Sequence, residues 1–195
     1  RHTRLQGDWS SDVCSSDLFS GTLFSQTEAY DALKVMEPLI GEWFSKHKSQ
    51  GNFEGEPKNT QLISNYKYEW IAEKTAIVET WRSSTEKTDK RVHVGSIVYT
   101  LDPATNSIKT KHFGYDGKVY WTGKGWVEFS DSTMYTYVEE LTVNGTKTNY
   151  TNVKKIISSL EFSNQYTNFN QNGKRLKDQP VQKMRRVDVQ NVKKD

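Results

Sequence analysis

The sequence predicts an all-β protein: an antiparallel up-and-down β-barrel of about 8–10 strands, preceded by one short helix. Two observations predict this fold. Apolar and polar side chains alternate with a period of two along most of the chain after residue 42, as they do in half-buried strands. Three pairs, Asp116-Gly117, Asn144-Gly145 and Asn172-Gly173, separate such segments and supply the positive φ that tight hairpins need. A meander this long is expected to close, because closure removes its exposed edges.

Residues 1–25 are predicted to lie outside the fold. Residues 8–18 resemble the translation of a common sequencing adaptor, which indicates a non-native start; the alternative is an ordinary tail rich in Ser and Asp. Residues 18–26 are apolar and rich in small residues, like the end of a secretory signal, which predicts export to the periplasm or the extracellular space. A single barrel domain is expected at 26–190 and a frayed polar tail at 191–195.

Composition argues against several partners and chemistries. The chain has 27 Lys and Arg against 24 Asp and Glu, a net charge of +3. The positive charge is spread among the strands except near the C-terminus, whereas nucleic-acid binding favours a concentrated basic face, so nucleic acid is not expected. No later segment has the roughly 20 apolar residues of a membrane-spanning helix. The only cysteine, Cys14, lies in the suspected artefact, so packing rather than disulfides must stabilise the domain.

The one predicted helix spans residues 27–39. Tyr30, Leu33 and Met36 fall near one face, and Pro38 ends the helix because proline cannot continue its hydrogen bonding. This helix is expected to cap one end of the barrel.

The strands follow the helix. Residues 60–72 show the clearest alternation, which places Leu62, Tyr66 and Trp70 on the inward face. Gly123-Lys124-Gly125 is interpreted as a hairpin turn between two short strands. The predicted strands are 42–49, 60–72, 75–83, 91–101, 107–115, 118–122, 126–130, 133–143, one beginning after Asn144-Gly145, 159–169 and 174–188.

Three motifs resemble the bacterial lipocalin-like (calycin-type) β-barrel family of unknown function. They are residues 39–43 (Leu-Ile-Gly-Glu-Trp), residues 68–71 leading into a strand that carries Trp81, and residues 98–105, a strand that runs into Asp-Pro-Ala-Thr. The resemblance covers residues 30–188 and implies a barrel around a cavity, although the ligands of family members are mostly unassigned.

The resemblance also implies how the barrel closes. Gly41 would turn the chain into the first strand, and the Trp43 indole would plug the closed end. In the lipocalin group a basic side chain from the final strand covers this indole, which implies Arg186 here, with Arg185 as the alternative. The neighbouring nitrobindin-like haem barrels carry further glycines after Gly-x-Trp and a late haem-ligating histidine. The last histidine here is His112, so haem is not expected by that route. No other cofactor is expected either.

The candidate site is an amphipathic wall of aromatic side chains inside the barrel. Such a wall would exclude water and still orient a ligand through hydroxyl, imidazole and indole groups, so the predicted ligand is a small apolar or aromatic molecule. Tyr135 and Tyr137 are further wall candidates. The six predicted ligand-binding residues are Tyr66, Tyr68, Trp70, Trp81, His112 and Trp121.

Two other functions stay open from the sequence. The rings could fill the barrel and leave a pocketless structural or interaction module. Alternatively, His112 with Glu128 or Glu139 could form the acid–base pair of a small hydrolase or isomerase. His47, His93 and His112 lie on separate predicted strands, so a metal site is not expected; two exposed histidines and one hydrogen-bonded one are the expectation. The oligomeric state is left open.

Overall fold

The computed structural model describes residues 28–51, 53 and 56–187. The predictions for residues 1–25 and 191–195 lie outside these described residues. The eleven strands are β1 (Gly41–Lys48), β2 (Gln61–Ile71), β3 (Ala76–Thr85), β4 (Arg91–Asp102), β5 (Ser107–Asp116), β6 (Val119–Ser130), β7 (Thr133–Thr142), β8 (Lys147–Ser158), β9 (Glu161–Gln171), β10 (Lys174–Arg175) and β11 (Gln182–Arg186).

Ten of these strands form a closed antiparallel barrel, which confirms the predicted fold class. Neighbours in sequence are neighbours in the sheet from β1 to β9, β9 then pairs with β11, and β11 returns to β1. The two-residue β10 only extends the end of β9. The three Asx-Gly pairs lie at hairpin turns, where Gly117, Gly145 and Gly173 have φ of 58°, 81° and 83°.

A three-residue 3-10 helix, Ala72–Lys74, connects β2 to β3. The longer, N-terminal helix begins α-helical at residues 28–33 and continues as a 3-10 helix over Lys34–Leu39. Its buried side chains are Leu33, Met36 and Leu39. Their spacing of three matches the three residues per turn of a 3-10 helix, so one narrow stripe faces the barrel end. The helix therefore caps the barrel as the apolar pattern predicts.

The predicted turn at Gly123-Lys124-Gly125 is wrong. The chain runs straight through it as the twelve-residue strand β6. A Cβ at position 123 would lie 2.8 Å from the Glu139 carbonyl oxygen, and one at position 125 would clash with the carbonyl of Tyr137. These glycines therefore lie inside β6 and allow β7 to approach closely. In a sequence, glycine marks either a turn or such a close approach, so the Gly-Lys-Gly pattern alone does not distinguish the two.

The predicted strand at 174–188 is confirmed only at residues 174–175 and 182–186. The chain leaves the sheet after Arg175 and returns at Gln182, and Pro180 lies in the segment between them. A proline there cannot donate a ladder hydrogen bond, which favours a loop. That loop is still held to β9, because Gln179 N–H donates to the Tyr166 carbonyl at 2.8 Å.

The barrel is filled at the helix end. The buried apolar core gathers the helix stripe with residues from β1 to β9 and β11, among them Tyr68, Tyr99, Phe162 and Met184. The predicted contact at the closed end is present: the Arg186 guanidinium carbon lies 4.3 Å from the Trp43 ring centroid. Trp43 Nε1 donates to the Leu39 carbonyl at 2.7 Å.

Candidate ligand-binding site

The half of the barrel away from the helix is hollow. A cavity of about 590 Å³ begins above the filled core and opens at the mouth, where β1 ends and β2 begins. Its volume lies within the range of small-molecule sites, about 300–1,000 Å³. Phe53, between β1 and β2, reaches over the mouth, and its ring lies 5.3 Å from that of His93 and 5.6 Å from that of Phe169.

The barrel wall is incomplete at the mouth between β1 and β11. These strands share only two residue pairs, at Trp43 and Phe44, whereas β1 and β2 share eight. The cavity therefore reaches the outer edge of this gap, where its lining includes Lys46, Lys48 and Arg185.

A flat shelf of aromatic rings forms one wall of the cavity. Tyr66, Trp81, Gly95, Gly114 and Trp121 lie in one cross-strand row over β2 to β6. The rings of Tyr66 and Trp81 are 6.4 Å apart and those of Trp81 and Trp121 are 6.0 Å apart, each pair within 20° of parallel. A Cβ at position 95 would lie 2.5 Å from Trp81 Cζ2, and one at 114 would lie 2.7 Å from Trp121 Cζ2. The two glycines thus let both indoles lie flat on the sheet.

A row of polar side chains lies one step nearer the mouth. Ser45, Ser64, Ser83, His93 and Asp116 pair in register across β1 to β5. Ser64 Oγ and Ser83 Oγ are 2.6 Å apart, and His93 Nδ1 lies 2.9 Å from Asp116 Oδ1. The shelf is therefore bordered by hydrogen-bonding groups on its open side.

The far wall carries a carboxyl and two phenols. Tyr150 OH donates to Glu140 Oε1 at 2.6 Å, and the Tyr150 and Tyr166 rings meet edge to face at 5.3 Å. Burial raises the pKa of Glu140 to about 8; the Tyr150 hydrogen bond lowers this pKa and the negative charge of Asp116 raises it. Glu140 is therefore largely protonated at neutral pH when nothing neutralises its charge.

Beneath the cavity lies a buried ion pair. Lys154 Nζ is 2.7 Å from Glu79 Oε2, and both side chains are 3% exposed. Tyr99 OH donates to the same carboxylate oxygen at 2.5 Å, and Lys154 Nζ lies 5.2 Å from the Tyr68 ring centroid. A second void of about 20 Å³, large enough for one water, separates this pair from the main cavity.

Several buried polar atoms in this half of the barrel have no hydrogen-bond partner among the described residues. Ser45 Oγ, His47 Nδ1, Trp121 Nε1 and Gln182 Oε1 belong to residues that line the main cavity. Buried polar groups are normally paired, so these atoms are free to bind water or a ligand.

The six predicted ligand-binding residues divide into two groups. Tyr66, Trp81 and Trp121 line the main cavity. Tyr68 lies in the filled core, and Trp70 lies at the helix end, where its Nε1 donates to Glu37 at 3.2 Å. His112 lies deeper, beside the small void, with Nε2 2.7 Å from Thr110 Oγ1.

The predicted acid–base pair does not form. The Glu139 side chain is 53% exposed and faces Lys124, and Glu128 accepts a 3.0 Å hydrogen bond from Tyr137 on the outer surface. Tyr137 therefore does not line the interior. Burial and the nearby Lys154 charge lower the pKa of His112 to about 3. His112 is thus a neutral imidazole without a carboxylate partner.

The histidines are more buried than predicted. His47 and His93 both line the cavity mouth, and burial together with the neighbouring His93 lowers the pKa of His47 to about 4. Within the described part of the chain, no group of three or more His, Cys, Asp or Glu side chains could hold a metal ion.

Sequence reasoning missed the charged groups of the interior. Glu79 continues the inward alternation of Ile77 and Trp81, so its inward position was readable from the strand pattern. Asp116 was assigned only to a turn, and the register of β5 places it beside His93. Gly95 and Gly114, each isolated inside a strand, are the sequence signal that could have indicated a close approach of side chains.

Comparisons with known proteins show the fold. No protein-family model matches the chain, and no curated protein matches it significantly. The structure is similar to the crystal structure of Rv2717c from M. tuberculosis, with a TM-score of 0.54 and 12% sequence identity, over 80% of this chain and 98% of that one. In the described residues, no helix has the length and apolar character needed to cross a membrane.

Proposed function

We propose that this protein binds a small, flat aromatic molecule in the open half of its barrel. The observation that carries the proposal is the shelf of Tyr66, Trp81 and Trp121 over Gly95 and Gly114. Offset stacking on such rings contributes about 0.5–1.5 kcal/mol per ring pair beyond the area buried, and it requires a flat, accessible face. The polar row beside the shelf would fix the orientation of a ring substituent.

A tryptophan-fluorescence titration tests this binding. We expect compounds with two or three fused rings to quench the protein, and Trp81→Leu or Trp121→Leu to weaken binding roughly tenfold, as the loss of one stacking partner and its buried area predicts. The matched control is Trp126→Leu, because Trp126 is 39% exposed and stacks on Tyr137 outside the barrel. Equal affinity in all three variants would place the ligand elsewhere, and no binding by any compound would end the proposal.

A small hydrolase is a second candidate, favoured by the His93–Asp116 pair. An aspartate on Nδ1 orients a histidine as a general base, and Ser83 lies opposite His93 in the register. Against it, Ser83 Oγ bonds to Ser64 Oγ. This candidate predicts hydrolysis of 4-nitrophenyl acetate that disappears in His93→Ala. A rate equal to that of buffer would exclude it for this ester.

We infer a place in the lipocalin-like group, supported by the closed end, where Gly41, Trp43 and Arg186 meet as the resemblance implies. We also propose that the protein is exported, because residues 18–26 resemble the end of a secretory signal, and fractionation of the source cells would test this.

A further inference from the structure

We propose that the ligand is an organic cation, held against the indoles of Trp81 and Trp121 by the carboxylates of Asp116 and Glu140. This inference rests on the proposed function and names its ligand class. A cation over an indole face is attracted by the negative face of the ring, and the attraction strengthens when water is excluded.

The register places the two carboxylates on either side of Trp121. Trp121 pairs with Gly114 on β5 and with Thr142 on β7. Asp116 lies two residues after Gly114, and Glu140 lies two residues before Thr142, so both side chains project to the inward side of the sheet, as the Trp121 indole does. Both line the cavity. A cation on the indole is therefore within reach of two acidic groups.

In the part of the chain that the structure describes, no lysine or arginine forms an ion pair with either acid. Among the described residues, Asp116 has an ion pair only with His93, and Glu140 has none. The cations that line the cavity, Lys46, Lys48, Lys183 and Arg185, come from β1 and β11, across the barrel from β5–β7. Lys154 beneath the floor is paired with Glu79. The carboxylates of Asp116 and Glu140 are therefore not neutralised by a lysine or arginine among the described residues, and a cationic ligand could pair with them.

The ionisation of Glu140 supports the same conclusion. Burial holds its pKa near 8, so at neutral pH the group carries a proton that a bound cation would displace. The titratable groups that face it are Asp116 and His112 from β5, Tyr150 from β8 and Tyr166 from β9. None of these is a cation at neutral pH, since the pKa of His112 is about 3.

Trp121 adds a second, independent requirement. Its side chain is 4% exposed, and its Nε1 donor has no partner among the described residues. An indole N–H donates only, so it calls for an acceptor, either an oxygen on the ligand or a water that the ligand orders. The best fit is a flat aromatic cation with an oxygen substituent.

Three naphthalene probes that differ in charge test this selectivity. They are trimethyl(2-naphthylmethyl)ammonium, its neutral carbon isostere 2-neopentylnaphthalene, and 2-naphthylacetate. We expect the cation to bind at least tenfold more tightly than the isostere, the range of a hydrogen bond or ion pair to a buried charge, and the anion to bind most weakly. If the isostere binds as tightly as the cation, the charge inference is wrong and the aromatic site stands. If no probe binds, the proposed function itself fails.

Glu140→Gln separates charge from shape. The amide oxygen can still accept the Tyr150 hydrogen bond, so the cavity keeps its form while the cation loses roughly tenfold in affinity and the isostere keeps its affinity. Glu139→Gln is the matched control, because the neighbouring side chain points outward.

The pH dependence gives a second readout. In the wild type, affinity for the permanently charged probe should rise between pH 6 and 9 as Glu140 loses its proton, and this rise should disappear in Glu140→Gln. A cation affinity that Glu140→Gln leaves unchanged, or a pH profile that this variant retains, would overturn the assignment of Glu140.

Discussion

Replacing Arg186 by alanine is expected to lower the free energy of unfolding by about 3 kcal/mol. The guanidinium donates from Nε to the Ser159 carbonyl at 2.7 Å, from Nη1 to Ile40 at 2.7 Å and from Nη2 to Pro38 at 2.8 Å. It also lies 4.3 Å from the Trp43 ring centroid. Three hydrogen bonds from a charged donor and a cation–π contact of about 1 kcal/mol, partly screened by solvent, give this magnitude.

Urea denaturation and thermal unfolding measure the loss, which for a domain of this size corresponds to a fall of roughly 6–12 °C in Tm. Arg185→Ala is the matched control: the neighbouring side chain is exposed, and we expect a change within about 0.5 kcal/mol. Arg186→Lys should recover little, since an ammonium donates from a single nitrogen and cannot reach the three carbonyl oxygens that the planar guanidinium reaches from three nitrogens. Equal loss in both alanine variants would show that Arg186 has no special role at the closed end.

Most of the fold follows from local patterns in the sequence. Strand β2 was placed to within a residue because every second side chain from Leu62 to Tyr68 is buried. The hairpins followed from the conformational needs of the Asx-Gly pairs. The two errors, at Gly123 and at Pro180, have one cause. Glycine and proline mark a departure from regular strand geometry, and whether that departure is a turn, a close approach or a loop depends on the neighbouring strand.

The site was less predictable because it depends on distance along the barrel axis. Alternation places Tyr66, Tyr68 and Trp70 on the inward face, but each step of two residues moves about 7 Å toward the helix. Tyr66 therefore lines the cavity and Tyr68 lies in the core. Trp70 packs against the helix, where its ring centroid lies 5.4 Å from that of Tyr30. Only the helix position and the strand register decide where the hollow half begins.

The polar interior was missed for a different reason. Glutamate and lysine are rarely buried unless paired, and Glu79 and Lys154 are separated by 75 positions in the sequence. No neighbouring residue in the sequence identifies the partner of either side chain, although Glu79 and Lys154 each lie on the inward face of their own strand. Closure of the barrel brings them together, and the pair separates the apolar core from the cavity.

Replacing Lys154 by methionine is expected to cost about 3–5 kcal/mol of stability. The substitution keeps the length of the side chain but leaves the Glu79 carboxylate buried without its cation, and an uncompensated buried charge is more costly than the pair was favourable. Lys155→Met is the matched control, since Lys155 is exposed on the same strand. Urea denaturation midpoints at constant m-value give the difference directly.

The double variant Glu79→Met/Lys154→Met then separates the two contributions. With both charges gone, the desolvation penalty disappears, and we expect most of the loss to be recovered apart from about 1 kcal/mol for Tyr99, whose hydroxyl loses its acceptor. A coupling energy above about 2 kcal/mol between the two sites is the expected result of the double-mutant cycle. If the two losses simply add, the ion pair is not the interaction that holds the floor of the cavity, and packing of the aliphatic stems must account for it instead.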